Sequence, residues 1–137
     1  MSFLNYTIKE LEDKLHKKEL SAVDIVDIAF KRIQEVEDDV KAFITLNEEK
    51  AYEQAKALDK EDLSGYKLFA MPTGIKDNLM TKDIRTTSAS SFLSNFDRPL
   101  FTATAVQKLE NEKAITIGKV NMDEFAMGST TEHSSFH

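Results

Sequence analysis

The sequence of 137 residues contains no cysteine and only four glycines. The absence of cysteine excludes disulfides, thiolate metal sites and a cysteine nucleophile. Four glycines are too few for a glycine-rich phosphate cradle within the chain. In the segment "IGK", Val120 follows Lys119 and the upstream glycine of a P-loop is missing, so this segment is not predicted to bind a nucleotide.

Basic charge and long apolar runs are also scarce. The net charge is -6, so the chain lacks the basic surface that nucleic-acid binding uses, and another chain is expected to hold any RNA partner. No apolar run reaches the roughly 18 residues of a membrane helix. The first residues lack the order of a secretory signal and already include Glu10 and Glu12. We therefore expect a cytoplasmic protein.

Apolar periodicity predicts helices that alternate with short strands. Helices are predicted over residues 7–20, 21–39, 47–61 and 102–113, and one or two helical turns over 121–128. Strands are predicted over 40–46 and 114–120, and on either side of Pro72 and Gly74. Thr7, Ser21 and Asn47 are the predicted helix caps. This order predicts an α/β fold with a mainly parallel mixed sheet covered by helices, and the small number of strands suggests an incomplete fold.

Several polar groups resemble reactive sites but have simpler explanations. His133 and His137 have the spacing of a helical zinc pair, yet Ser134 stands where a metalloprotease has glutamate, so no metal site is predicted. Asp123 and Glu124 are interpreted as carboxylates that favour the dipole of a following helical turn. The many serines lack a nucleophile-elbow pattern.

Lys76 is the exception, because it lies in the mostly apolar run "MPTGIKDNLM". In an extended segment Asp77 points to the opposite face and is not automatically its partner. A lysine titrates near about 10.4, so half-neutrality at pH 7 requires about 4.6 kcal/mol. Burial can supply that shift, and a neutral lysine can act as a general base. The local sequence leaves open that Lys76 is instead paired or reaches solvent.

Three segments together resemble the amidase signature family. "MPTGIKDNLMT" is similar to its lysine segment, "IRTTSASSFL" to its Thr-Thr loop, and "TATAVQKLENEKAITIGKVNMDEFAMGSTTEHSSF" to its next helix, strand and Met-Gly-Ser loop. Their order and spacing agree over residues 66–136. We therefore expect residues 66–137 to begin the amidase core, and residues 1–65 to form an amino-terminal helical segment with one short strand.

The resemblance implies a catalytic lysine, a bridging serine and a nucleophilic serine. Lys76 matches the lysine, and Met127, Gly128 and Ser129 match a loop expected to form a wall of the substrate pocket. The two serines belong to a Gly/Ser-rich segment that no part of this sequence matches. We therefore expect the sequence to be the amino-terminal part of a longer polypeptide and to be inactive alone.

The stretch "NMDEFAMGS" is especially similar to the tRNA-dependent amidotransferase branch of the family. That similarity implies a glutaminase that releases ammonia, with partner B and C subunits. It also implies that the B subunit uses ATP to convert Glu-tRNA(Gln) to Gln-tRNA(Gln), and that this chain holds no cofactor. A stand-alone amidase and a non-catalytic binding module are the alternatives.

Overall fold

The structure is a computed structural model, and it describes residues 6–137. The described residues form four α-helices and three strands. The helices are α1 (Ile8–His16), α2 (Ala22–Val40), α3 (Glu48–Leu58) and α4 (Thr104–Asn111), and the strands are β1 (Phe43–Leu46), β2 (Pro72–Lys76) and β3 (Ile115–Val120). Short 3-10 turns lie at Ser91–Leu93 and Glu124–Ala126. No helix in residues 6–137 is both long enough and apolar enough to cross a membrane.

The first two helices begin where their capping signals predicted. Thr7 and Glu10 form a capping box at α1, and Ser21 and Asp24 form another at α2. Each box satisfies backbone amides that the first helical turn leaves without partners. Asn47 occupies the cap position of α3, but its side chain makes no capping bond. Its amide nitrogen instead donates to the carbonyl of Thr116 at 2.8 Å, which ties the start of α3 to β3.

The strands form a mixed sheet in the order β1-β3-β2. Strand β2 pairs with β3 in parallel, with α4 between them in the chain, whereas β1 pairs with β3 antiparallel. The predicted α/β class is therefore confirmed. Of the two strand pairings within the described residues, one is parallel and the other is antiparallel.

The main hydrophobic core lies between the sheet and helices α1, α2 and α3. Leu11, Ile25, Phe30 and Ala55 pack there with Ile115 of the central strand. All of β3 except Val120 is buried, as expected for a strand covered on both faces. Residues before and after position 65 thus share one sheet and one core.

An irregularity between β2 and β3 changes which way the end of β3 points. Thr73 pairs with Thr116 and Gly74 with Gly118, so Ile117 is left without a partner on β2. A bulge of this kind interrupts the regular alternation of side chains. The side chain of Lys119 consequently reaches the turn and the loop that follow β2, where it contacts Leu79 and Thr86.

The predicted helical turns after β3 are shorter and less regular than expected. Only Glu124–Ala126 forms a 3-10 turn, and Phe125 within it has φ of 51°. Ala126 also has a positive φ of 60°. These left-handed residues prevent a right-handed helix from continuing through the segment.

Candidate active site

The three family-like segments meet at the carboxyl ends of two parallel strands. Lys76 is the last residue of β2, and it pairs in register with Val120, the last residue of β3. The Thr-Thr loop (residues 86–90) and the Met-Gly-Ser loop (residues 123–136) contact each other beside this edge. Ligand sites in α/β sheets commonly lie outside the carboxyl ends of the strands. This edge is therefore the candidate active site.

Lys76 is exposed at this edge. Its Nζ makes no hydrogen bond or ion pair with any residue in the described range, and its backbone carbonyl accepts a bond from the amide of Leu79 at 3.0 Å. The apolar neighbours of Lys76 in the sequence do not enclose its amine in space, so within residues 6–137 the buried setting expected for this lysine is not present. Its catalytic role remains a prediction.

The buried lysine of the edge is Lys119, which has no exposed surface. Its Nζ donates to the carbonyl of Leu79 at 2.8 Å and to Oγ1 of Thr86 at 2.6 Å. It also lies 3.7 Å from Oδ1 of Asp77, whose side chain is equally buried. Burial lowers the pKa of Lys119 to about 8, although the Asp77 carboxylate opposes the shift. Sequence reasoning missed this residue, and the available signal was a lysine within an apolar strand.

Asp77 connects the lysine segment to the Thr-Thr loop. Its Oδ2 accepts bonds from the amide of Thr87 at 2.9 Å, the hydroxyl of Thr87 at 2.5 Å and the amide of Ala89 at 3.3 Å. Its backbone amide donates to Val120, and its backbone carbonyl accepts from Ser88. The ion-pair partner of Asp77 is thus Lys119 and not its neighbour Lys76, in agreement with the opposite faces expected for consecutive residues.

Both loops contain pairs of consecutive left-handed residues. Ser88 and Ala89 have φ of 53° and 55°, and Phe125 and Ala126 have φ of 51° and 60°. The amide of Phe125 donates to the carbonyl of Ser88 at 2.9 Å, which joins the two strained turns. Such conformations persist only where surrounding contacts hold them, and they cluster at functional sites.

A second buried carboxylate, that of Asp123, shapes the Met-Gly-Ser loop. It accepts bonds from the amides of Thr130, Thr131 and His133 at 3.1, 2.9 and 2.9 Å. These bonds hold the pKa of Asp123 below its usual range. The interpretation of Asp123 as a helix-dipole carboxylate was therefore wrong, because its charge is used by loop amides that follow it.

The predicted pocket-wall residues Met127, Gly128 and Ser129 lie on the exposed part of this loop. A Cβ at Gly128 would overlap the carboxylate of Asp123, so glycine permits the loop to close on that side chain. The structure therefore shows how the loop is held, and the substrate contact of these residues remains a prediction.

The two histidines near the end of the chain do not meet. Nδ1 of His133 lies 3.5 Å from Oδ1 of Asp123, whereas Nε2 of His137 lies 3.0 Å from the carbonyl oxygen of Phe43. No group of three or more potential metal ligands occurs among residues 6–137.

Residues 24–137 match the family model described as Amidase, and the chain belongs to this family. The resemblance of its three segments is thereby confirmed. Across the whole chain it is similar to curated proteins named as the A subunit of glutamyl-tRNA(Gln) amidotransferase. It is 57% identical over 137 residues to that of Oceanobacillus iheyensis and 55% identical over 140 residues to that of a Geobacillus species, with 99% of this chain covered in both cases.

The fold of the chain is also similar to solved structures of proteins of this family. The A subunit of the glutamyl-tRNA(Gln) amidotransferase of Thermotoga maritima matches with a TM-score of 0.76 and 34% identity, over 99% of this chain and 27% of that chain. The peptide amidase of Stenotrophomonas maltophilia matches with a TM-score of 0.81 and 25% identity, over 90% of this chain and 26% of that one. The chain spans 28% of the length of the Oceanobacillus relative.

Proposed function

We propose that this chain belongs to the glutamine-hydrolysing subunit of a tRNA-dependent amidotransferase. The observation that carries the proposal is 57% identity, over 99% of the chain, to the A subunit of a glutamyl-tRNA(Gln) amidotransferase. The same segments that carry the family resemblance meet at one sheet edge, with Lys76 at its end. The proposed reaction is the release of ammonia from glutamine.

In the proposed mechanism, Lys76 is the general base. Its neutral amine accepts a proton from a bridging serine, which takes the proton of a nucleophilic serine as that hydroxyl attacks the amide carbonyl of glutamine. The carbon–nitrogen bond breaks, the leaving nitrogen takes a proton, and ammonia departs. Water then hydrolyses the acyl ester and regenerates the serine.

The exposed position of Lys76 is compatible with this role. A Gly/Ser-rich segment that carries the two serines can approach the amine from solvent, because the described residues leave this face of Lys76 open. Packing of that segment removes water from around the amine, and burial of this kind favours the neutral base. Residues 1–137 by themselves supply one of the three catalytic groups, and we propose that they do not hydrolyse glutamine.

The loop held by Asp123 supplies the proposed wall of the glutamine pocket. Met127, Gly128 and Ser129 are exposed on it, beside the edge that carries Lys76. The carboxylate bonds to the loop amides limit its movement. A fixed wall of this kind would orient the amide without contributing a charge.

The proposed assembly contains B and C subunits. The net charge of -6 provides little attraction for tRNA or ATP, so Glu-tRNA(Gln) and ATP are assigned to the partner B subunit. The C subunit is assigned a role in holding the assembly together. This chain is proposed to need no cofactor of its own.

A stand-alone amidase is the second candidate. The TM-score of 0.81 to a peptide amidase is higher than the 0.76 to the Thermotoga protein, so the fold of this portion does not separate the two functions. The sequence identities favour the amidotransferase, since they are 57% for the Oceanobacillus protein and 25% for the peptide amidase.

The test uses the full-length protein, alone and in complex with the B and C subunits. Ammonia release from glutamine is measured with and without Glu-tRNA(Gln) and ATP. We expect glutaminase activity that rises when the partners, the tRNA and ATP are present. Efficient hydrolysis of simple amides by the isolated protein, with no response to the partners, would establish the stand-alone amidase instead.

A further inference from the structure

Lys119, on β3, contacts two other parts of the edge that carries Lys76, the turn after β2 and the Thr-Thr loop. Its ammonium group donates to the carbonyl of Leu79 and to the hydroxyl of Thr86, and it faces the carboxylate of Asp77. Asp77 directly follows Lys76, and the amide of Leu79 bonds back to the carbonyl of Lys76. Every one of these contacts lies within three residues of the proposed base or in the Thr-Thr loop.

Burial prevents Lys119 from reacting with substrate itself. Neither Lys119 nor Asp77 has exposed surface, and the nitrogen of Lys119 already has two hydrogen-bond acceptors and a counter-charge. Burying this pair and holding the left-handed turn at Ser88 and Ala89 both oppose folding. A salt bridge between buried groups is weak evidence for stability, so its position beside the base requires another explanation.

We propose that Lys119 is a positioning residue for the amidase reaction, which fixes the turn after Lys76 and the Thr-Thr loop in one geometry. This inference rests on the proposed function. Without the ammonium group, the carbonyl of Leu79 and the hydroxyl of Thr86 lose their shared donor. The turn that carries Lys76 and the loop opposite it can then shift independently. A displacement of about 1 Å at a reacting group can reduce a rate by about 100-fold.

The test compares two nitrogen sources in the full-length complex with its B and C subunits. Glutamine requires the amidase site, whereas ammonium chloride supplies ammonia directly to the partner that amidates Glu-tRNA(Gln). For Lys119→Met we expect the glutamine-dependent kcat to fall by about 100-fold with KM for glutamine nearly unchanged. The ammonium-dependent rate should stay near that of the unaltered complex, which shows that the complex is assembled.

Val26→Ala is the matched control, because Val26 is fully buried in α2 and belongs to the core between the helices and the sheet. It should lower the thermal midpoint while leaving the ratio of glutamine-dependent to ammonium-dependent rates unchanged. An equal ratio in Lys119→Met and Val26→Ala would overturn the proposal, since it would show that Lys119 contributes only to stability.

Thr86→Val is the second variant and remains informative if Lys119→Met does not assemble. It removes one acceptor of the ammonium group in a side chain of similar size. We expect a smaller loss of the same ratio, and an unchanged ratio would overturn the proposal. A complex of the unaltered protein that uses ammonium but not glutamine would contradict the proposed function itself, before any variant is compared.

Discussion

Nζ of Lys119 lies 3.7 Å from Oδ1 of Asp77 in a site that excludes solvent from both side chains. The other oxygen of Asp77 bonds to the Thr-Thr loop, and the same nitrogen bonds to the carbonyl of Leu79. This ion pair, with the hydrogen bonds of its two members, therefore connects β3 to the turn that follows β2 and to the Thr-Thr loop.

Replacement of Asp77 tests how much this connection stabilises the protein. Asp77→Ala leaves the buried ammonium without a counter-charge and removes the acceptor for the amides of Thr87 and Ala89. Breaking a buried pair in this way costs about 3–5 kcal/mol. Chemical denaturation of the full-length protein should show a free energy of unfolding that is lower by this amount in Asp77→Ala. Asp97→Ala is the control, because Asp97 is an exposed partner of Arg85 and a pair of that kind contributes about 0–1 kcal/mol. Equal losses in the two variants would refute the assigned role.

The pKa of Lys119 predicts a specific pH dependence of stability. The folded-state pKa is about 8, below the ordinary value of 10.5, so between these values the unfolded chain binds the additional proton. Stability from this group therefore rises as pH increases from 8 to 10.5, with a slope of up to about 1.4 kcal/mol per pH unit. Below about pH 8, Lys119 is protonated in both the folded and the unfolded chain, so this gain in stability is absent and the group adds no pH dependence. The thermal midpoint of the unaltered protein should therefore rise relative to that of Lys119→Met as pH increases across this range. A constant difference between the two midpoints would rule out the shift.

Gly118 is predicted to be essential for the pairing of β1 with β3. A Cβ there would lie 2.6 Å from the carbonyl oxygen of Thr45 and 2.8 Å from Cδ1 of Phe43. The backbone of β1 would have to move, so Gly118→Ala should destabilise the fold by about 1–3 kcal/mol. Gly74→Ala is the comparison, because its closest contact is a side-chain methyl of Val120 that can move. A larger fall in the thermal midpoint for Gly74→Ala than for Gly118→Ala would contradict this reasoning.

Loss of the Asp123 carboxylate should loosen the Met-Gly-Ser loop. Asp123→Ala removes the acceptor for the amides of Thr130, Thr131 and His133. Hydrogen exchange of these amides should become faster, while the core amides of α2 stay protected. If the loop forms the glutamine pocket, KM for glutamine should also rise. Glu132→Ala, an exposed neighbour in the loop, should have little effect on either measurement, and similar exchange in both variants would argue against Asp123 as the anchor.

Features that depend on neighbouring residues were predictable from the sequence. The capping boxes that begin α1 and α2 involve residues three apart, and the structure contains both. The apolar run of β3 correctly indicated a strand, and the structure buries all of it except Val120. The parallel pairing of β2 with β3 followed from the helix between them, whereas nothing local indicated the antiparallel pairing of β1.

The polar arrangement of the candidate site was not predictable in the same way. The apolar residues around Lys76 are its neighbours in sequence, but its side chain leaves the strand on the exposed side. Lys119 faces Asp77 and Thr86 because the irregularity at Ile117 changes the alternation along β3. The bonds of Asp77 and Asp123 join loops whose left-handed turns carry no glycine at the strained positions, so the usual turn signals were absent.

The central claim, that Lys76 is the base of a glutaminase, is tested most directly by one rate measurement. In the full-length complex, glutamine-dependent ammonia release is compared for Lys76→Ala and for Lys56→Ala, an exposed lysine on α3. We predict that Lys76→Ala lowers kcat by at least about 100-fold, in keeping with the contribution of a general base. Lys56→Ala and the ammonium-dependent reaction of both variants should remain near the unaltered rate. Glutamine hydrolysis by Lys76→Ala at the rate of Lys56→Ala would contradict the account.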